Sequence, residues 1–207
     1  MVKIKPFQGI RPPKEYAAEV ASRPYDVLNS DEARAEARIL MQVQENILSP
    51  RYGGPIIGSV HDHITGAYFL THDNPRFDRE AAANILFRLD GEDIPFPEPY
   101  IDEVTGEQYW TGKQLFSTVL PDDFRTTFKA NICQNCSVCK KEECEYDAYV
   151  NIRDGQLLCG TIDVKGVGNS KGKILDRIAR DYGADRAALF INQVTRLALG
   201  AIMNHGF

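Results

Sequence analysis

Ser30 to Thr71 reads S-D-E-A-R-A-E-A-R-I-L-M-Q-V-Q-E-N-I-L-S-P-R-Y-G-G-P-I-I-G-S-V-H-D-H-I-T-G-A-Y-F-L-T, and the rest of the chain is read outward from this stretch. Its first half predicts a helix. Ser30 is a good N-cap, Asp31 and Glu32 fall in the positive first turn, and Ala33, Ala37, Leu40, Met41 and Ile47 recur near helical period until Ser49-Pro50. The period then changes. Gly53-Gly54-Pro55 reads as a turn, Pro55 to Val60 as a short apolar strand and Gly66 to Thr71 as a second strand.

The same words, A-E-A-R-x-L-M, N-I-L-S-P, G-x-P-I-I and D-x-x-x-G-x-Y-x-L-T, resemble the archaeal-type largest subunit of multisubunit DNA-directed RNA polymerase. Further words follow in that family's order. They are W-T-G-K-Q at Trp110 to Gln114, D-G-Q-L-L-C-G at Asp154 to Gly160, and L-A-L-G-A-I-M-N-H-G-F at Leu197 to Phe207. Several ordered words carry more than one short motif would. The resemblance runs from about Ser30 to the C-terminus. It implies residues 30–72 as the tail of the catalytic-domain-like region and 73–207 as a pore-domain-like region.

Residues 1–29 depart from the polymerase pattern. The family carries its acidic Mg2+-binding loop, N-A-D-F-D-G-D, a few residues before the Ser30 helix, where this chain reads R-P-Y-D-V-L-N. Instead, I-K-P-F-Q-G-I-R-P-P at Ile4 to Pro13 and V-A-S-R-P-Y-D-V-L at Val20 to Leu28 resemble the N-terminus of a prokaryotic family of unknown function. The join falls between about Asn29 and Arg38. Pro6, Pro12, Pro13 and Pro24 leave room only for a short helix over Lys14 to Ala21.

A chain of 207 residues can bury a real core, and its net charge of −5 argues against a stand-alone nucleic-acid binder. No apolar run approaches the roughly 18 residues that span a bilayer, and no signal peptide opens the chain, so a cytoplasmic protein is expected.

After Thr71, Asp78 can cap a helix with Ala82, Ile85, Leu86 and Leu89 on one side, Gly91 to Pro99 reads as a loop, and Leu115 to Leu120 as a strand in a proline-rich middle. Asp154-Gly155 between alternating runs is the strongest hairpin signal, and it sets Val150 opposite Cys159. Lys171 to Tyr182 reads as a helix stopped by Gly183. A long stripe over Ala187, Phe190, Ile191, Val194, Leu197, Ala198 and Ala201 anchors the core. The fold class is therefore α+β: small mixed sheets and hairpins with packed helices, a loop-rich middle, and, by the resemblance, a pore-domain-like architecture.

Cys133, Cys136, Cys139 and Cys144 are the strongest chemical signal. Four thiolates on one short stretch can close a structural Zn2+ site. The C-x2-C-x2-C spacing also opens a run that holds a 4Fe-4S cluster, although Glu145 stands where a proline usually follows, and a metal-free loop is the third reading. Cys159, lone and on a strand, reads as a small buried hydrophobe. His61 and His63 flanking Asp62 suggest a shared ion on a strand face, but no third ligand is evident, and solvated pore-wall residues are the plainer reading. Gly166 to Lys173 looks like a phosphate loop, yet its spacing fails and it reads as a turn before a helix. No nucleophile arrangement stands out.

By the resemblance, the chain is expected to be a segment of the polymerase largest subunit that lines the pore through which nucleotides enter. It would contact other polymerase subunits, and meet DNA template and RNA only within the assembled enzyme, with no membrane partner. Catalytic Mg2+ belongs to the family's acidic loop, so the isolated chain is expected to be inactive. The stop at Phe207, where the family continues, is expected of a fragment. Another class of reading is a free-standing metal-binding interaction module made by gene fusion or design, and a third is membership of the unknown-function family.

Overall fold

The computed structural model describes residues 30–89, 95–170 and 172–206. The expectations for residues 1–29, and for the first part of the Gly91 to Pro99 loop, lie outside them. The chain divides into two compact bodies, Met1–Asn46 and Ile47–Phe207.

In the first body, α1 spans Asp31–Ile39, and the Ser30 hydroxyl accepts from the Ala33 amide at 3.1 Å. The sequence runs this helix on toward Ile47. It stops early because the Asn46 side-chain amide donates to the carbonyls of Leu40 and Gln42, each at 2.8 Å. Those bonds satisfy carbonyls that a longer helix would have used, and a 3-10 turn, Gln44–Asn46, follows.

The second body begins with Ile47 buried in its core. The expected strand from Pro55 to Val60 is present only as two isolated bridges, Leu48 with Pro55 and Ser59 with Gly168. The expected strand from Gly66 to Thr71 is instead helical: α2 spans Asp62–Thr71 and buries Gly66, Ala67, Leu70 and Thr71. Those four positions share one helical face, and G-A-Y-F-L-T is too short for periodicity to separate strand from helix. Packing against the last helix decides it. A Cβ on Gly66 would lie 2.3 Å from the carbonyl oxygen of Ala198, so only glycine lets the two backbones approach this closely.

Next come β1 (Arg76–Phe77) and α3 (Arg79–Leu86), the latter capped as expected by Asp78, whose carboxylate accepts from the Ala81 amide at 2.8 Å. Then β2 (Tyr100–Ile101) and β3 (Gln108–Thr111) complete a three-stranded antiparallel sheet in the order β1-β3-β2. The expected strand from Leu115 to Leu120 is corrected to a helix, α4 (Gly112–Ser117). Thr111 and Gln114 form a capping box, with Gln114 N donating to Thr111 Oγ1 at 3.3 Å and Thr111 N donating to Gln114 Oε1 at 3.0 Å.

The second sheet orders β4 (Thr126–Lys129), β5 (Tyr149–Arg153) and β6 (Gln156–Cys159), all antiparallel. Asp154 at φ 49° and Gly155 at φ 69° make the two-residue turn that the sequence signalled. The register differs by one residue. Asn151, not Val150, lies opposite Cys159, because a bulge falls between Asn151 and Ile152.

A single turn, α5 (Val164–Val167), leads to α6 (Lys173–Asp181) and the long α7 (Ala184–His205). Ala187, Phe190, Val194, Leu197, Ala198 and Ala201 of α7 are buried along the stripe read from sequence, with Ile191 packed against its edge. The observed class is α+β, with small antiparallel sheets, packed helices and a loop-rich middle.

Candidate functional site

The cysteine stretch joins β4 to β5 and is held at both ends. At its start, Asp163, only 5% exposed, caps α5 through Lys165 N at 2.8 Å; it also accepts from the amides of Asn131 and Ile132, the latter at 3.3 Å. At its end, Asp147 accepts from Lys113 Nζ at 2.7 Å, from Gly160 N at 2.8 Å and from the Thr161 hydroxyl at 3.3 Å. Glu142, in the 3-10 turn Lys141–Glu143, accepts from the Asn151 side chain at 2.6 Å. An exposed ion pair, Lys140 with Glu145, crosses the stretch; it raises the lysine above its usual range and lowers the carboxylate.

The four candidate ligands line one shallow cavity of about 290 Å³, with Cys136 and Cys139 exposed and Cys133 and Cys144 partly covered. They do not converge. A four-thiolate zinc or a cubane cluster needs its sulfurs gathered around one point, at about 2.3 Å each for zinc. Among the described residues no group of three or more His, Cys, Asp or Glu side chains is placed to hold a metal ion. The expectation of structural Zn2+, with 4Fe-4S as its alternative, is thereby corrected: the loop takes its order from Asp163, Asp147 and Glu142.

Cys159 sits apart on β6. Its thiol donates to the Tyr149 carbonyl at 3.3 Å, and burial pushes its pKa up, with the Glu142 carboxylate adding to the effect. Thiolate, not thiol, is the nucleophile. With a thiol reagent near pH 8, Cys136 and Cys139 should therefore be labelled first and Cys159 last, and the lag should shrink as pH rises. Mass-resolved labelling checks the order, and Cys159 reacting as fast as Cys136 would contradict it.

His61, Asp62 and His63 do not share a strand face. His61 precedes α2 at φ 44°, while Asp62 and His63 occupy its first turn, where neighbours diverge around the helix. The carboxylate of Asp62 complements the helix N-terminus. The glycine-rich stretch is no open phosphate cradle either. Its Gly168 and Asn169 backbone lies against Gly58, where a Cβ would come within 2.7 Å of both, and Ser59 N donates to the Val167 carbonyl at 2.9 Å. Gly172 forms the N-cap of α6, as the turn-then-helix reading expects, and Lys171 lies outside the described residues.

Sequence reasoning missed the polar cluster at the end of the cysteine stretch. Lys113, Asp147, Thr161 and His72 form a chain, since His72 Nδ1 meets the Thr161 hydroxyl at 3.1 Å. Lys113 lies within W-T-G-K-Q, a word used above only for its resemblance, and no spacing rule links it to a carboxylate 34 residues on.

Comparison with known proteins agrees with this architecture. A family described as a protein of unknown function, DUF1015, matches residues 4–47. The DNA-directed RNA polymerase subunit Rpo1N of Methanothermobacter thermautotrophicus is 43% identical over 212 residues, covering 100% of this chain and 23% of the relative. The Rpo1N subunits of Thermoplasma acidophilum and Methanocaldococcus jannaschii are 45% and 46% identical over 182 residues, covering 87% of this chain and 20% and 13% of the relatives. This chain thus spans under a quarter of the relatives' length. A family described as RNA polymerase Rpb1, domain 3, matches residues 46–207, which takes in the whole second body, and the chain belongs to that family of polymerase largest-subunit segments.

Proposed function

We propose that this chain acts within a multisubunit DNA-directed RNA polymerase as a largest-subunit segment lining the pore through which nucleotides enter. Its partners are then the other polymerase subunits, with DNA template and RNA met only in the assembled enzyme. One observation carries the reading: the family match over residues 46–207 coincides with the compact body Ile47–Phe207. The finer division, with 30–72 as the tail of the catalytic region and 73–207 as pore, follows from the order of the matching words. Among the described residues no helix is long and apolar enough to cross a membrane.

In this reading the segment shapes the path of the substrate and leaves phosphodiester chemistry to the assembled enzyme. Two Mg2+ ions would there activate the RNA 3′ hydroxyl and stabilise the leaving pyrophosphate. This chain has no D-x-D-x-D cluster to hold them. The pure chain is expected to show no primer extension with Mg2+ and all four nucleotides, and template-dependent RNA synthesis by it would overturn that assignment. The function itself is tested by exchange. Residues 46–207 replace the matching segment of the Methanothermobacter Rpo1N, and reconstituted enzyme is assayed for assembly and RNA synthesis. Assembly with transcription supports the proposal; an Rpo1N that folds but fails to assemble rejects it.

A further inference from the structure

Four sulfurs do not gather in the cysteine stretch, but a bond between two of them needs far less. Cys136 and Cys139 are both exposed, and the backbone between them bends at Ser137 and Val138. A four-residue stretch turned over its two middle residues brings its end Cα atoms within about 7 Å. A disulfide bridges Cα atoms about 4.4–6.8 Å apart. Among the described residues, 134–139 make no backbone hydrogen bond, so this part of the stretch can draw the two Cβ atoms together without breaking a ladder. The other thiols are held elsewhere. Cys133 N donates to the Ala130 carbonyl at 3.3 Å and Cys144 N to the Lys141 carbonyl at 3.1 Å, and both side chains are partly covered. Cys159 is on β6 with its thiol bonded to Tyr149. The cavity that Cys136 and Cys139 line, about 290 Å³, is open to solvent and admits one small molecule.

We propose that Cys136 and Cys139 form a reversible dithiol–disulfide couple that reacts with low-molecular-weight disulfides. One of the two, as thiolate, attacks a sulfur of the small disulfide. That S–S bond breaks, one small thiolate leaves and takes up a proton, and a mixed disulfide remains on the protein. The second protein thiolate then attacks the protein sulfur of the mixed disulfide, closing the Cys136–Cys139 bond and releasing the second small thiol. The protein loses two electrons and two protons, and the small disulfide gains both to become two thiols. Closure locks the bend in a stretch whose feet are already tied by Asp163 and Asp147, so the sheet beneath keeps its pairing. The couple does not depend on the chain's place in the polymerase.

The test uses the full chain in degassed buffer at about pH 8 with mixtures of oxidised and reduced glutathione. After acid quenching, fragmentation mass spectrometry should find one species lighter by two hydrogens, with Cys136 joined to Cys139 and the other three cysteines free. C136S and C139S, both at exposed positions, should each stop at one glutathione on the remaining thiol, with circular dichroism unchanged. C133S and C144S should still form the bond. In urea, half conversion should need at least about tenfold more oxidised glutathione, because the bend no longer raises the effective concentration of one thiol at the other. Separate glutathiones on Cys136 and Cys139 of the wild-type chain overturn the proposal. So does a bond to Cys133 or Cys144, or closure that is as easy in urea as in buffer.

Discussion

Replacing Asp147 by Ala lowers the stability of the second body by about 3–5 kcal/mol, because it strands a covered cation and several donors at once. The Lys113 and Asp147 side chains are 11% and 19% exposed, so the lysine left behind cannot regain full hydration. The Gly160 amide and the Thr161 hydroxyl lose their acceptor too. A backbone term adds to this. Asp147 sits at φ 46°, a left-handed conformation that Asp and Asn tolerate better than Ala. Urea unfolding at neutral pH measures the loss. D147N keeps the backbone preference and an acceptor for Gly160, so it should fall between wild type and D147A. K113M combined with D147N should recover part of the deficit, because no buried charge then stands alone. A loss under about 1 kcal/mol in D147A would show that the pair is solvated and that something else holds the cysteine stretch.

The second large effect is steric. Gly66→Val should cost about 3 kcal/mol or more, because the new Cβ meets the Ala198 backbone at 2.3 Å and neither helix can rotate away without unseating Leu70 or Leu197. For a body of this size that corresponds to a fall in Tm of roughly 6–12 °C. Gly200→Ala provides the graded comparison. Its Cβ would stand 3.2 Å from Arg88 Cδ and the Ile85 backbone, a contact that small shifts relieve, so its effect should be clearly smaller. Calorimetry ranks the two. Equal shifts would mean that close approach of α2 and α7 is not what Gly66 secures.

Why these features were hidden in the sequence follows from which forces are local. The caps at Ser30, Asp78 and the Asp154-Gly155 turn were legible because each depends on residues within four positions of itself. The α7 stripe was legible because its period persists over six turns. Gly66 to Thr71 and Leu115 to Leu120 were misread as strands because short runs rich in aromatic and aliphatic residues fit both periods, and contacts distant in sequence choose between them. The T-G-K-Q capping box at Thr111 was a local signal and could have corrected the second misreading. At the candidate site, cysteine spacing was visible but convergence was not. Whether four sulfurs meet is settled by what tethers the ends of the loop, and those tethers, Asp163 and Asp147, reach across the fold to partners such as Asn131 and Lys113.

The clamps at those two aspartates also make the intervening stretch a natural place for change in length. Asp163 secures Asn131 and Ile132, and Asp147 is tied to Lys113 and Gly160, so both feet keep their positions whatever is carried between them. Closing a loop costs only about 0.6 kcal/mol more for each doubling of its length. Residues added around Gln134 to Val138 would emerge into solvent without disturbing the β4-β5 pairing of Lys129 with Tyr149. Fluorescent tags, epitopes or whole inserted domains can be carried there, with the sheet beneath serving as a fixed platform.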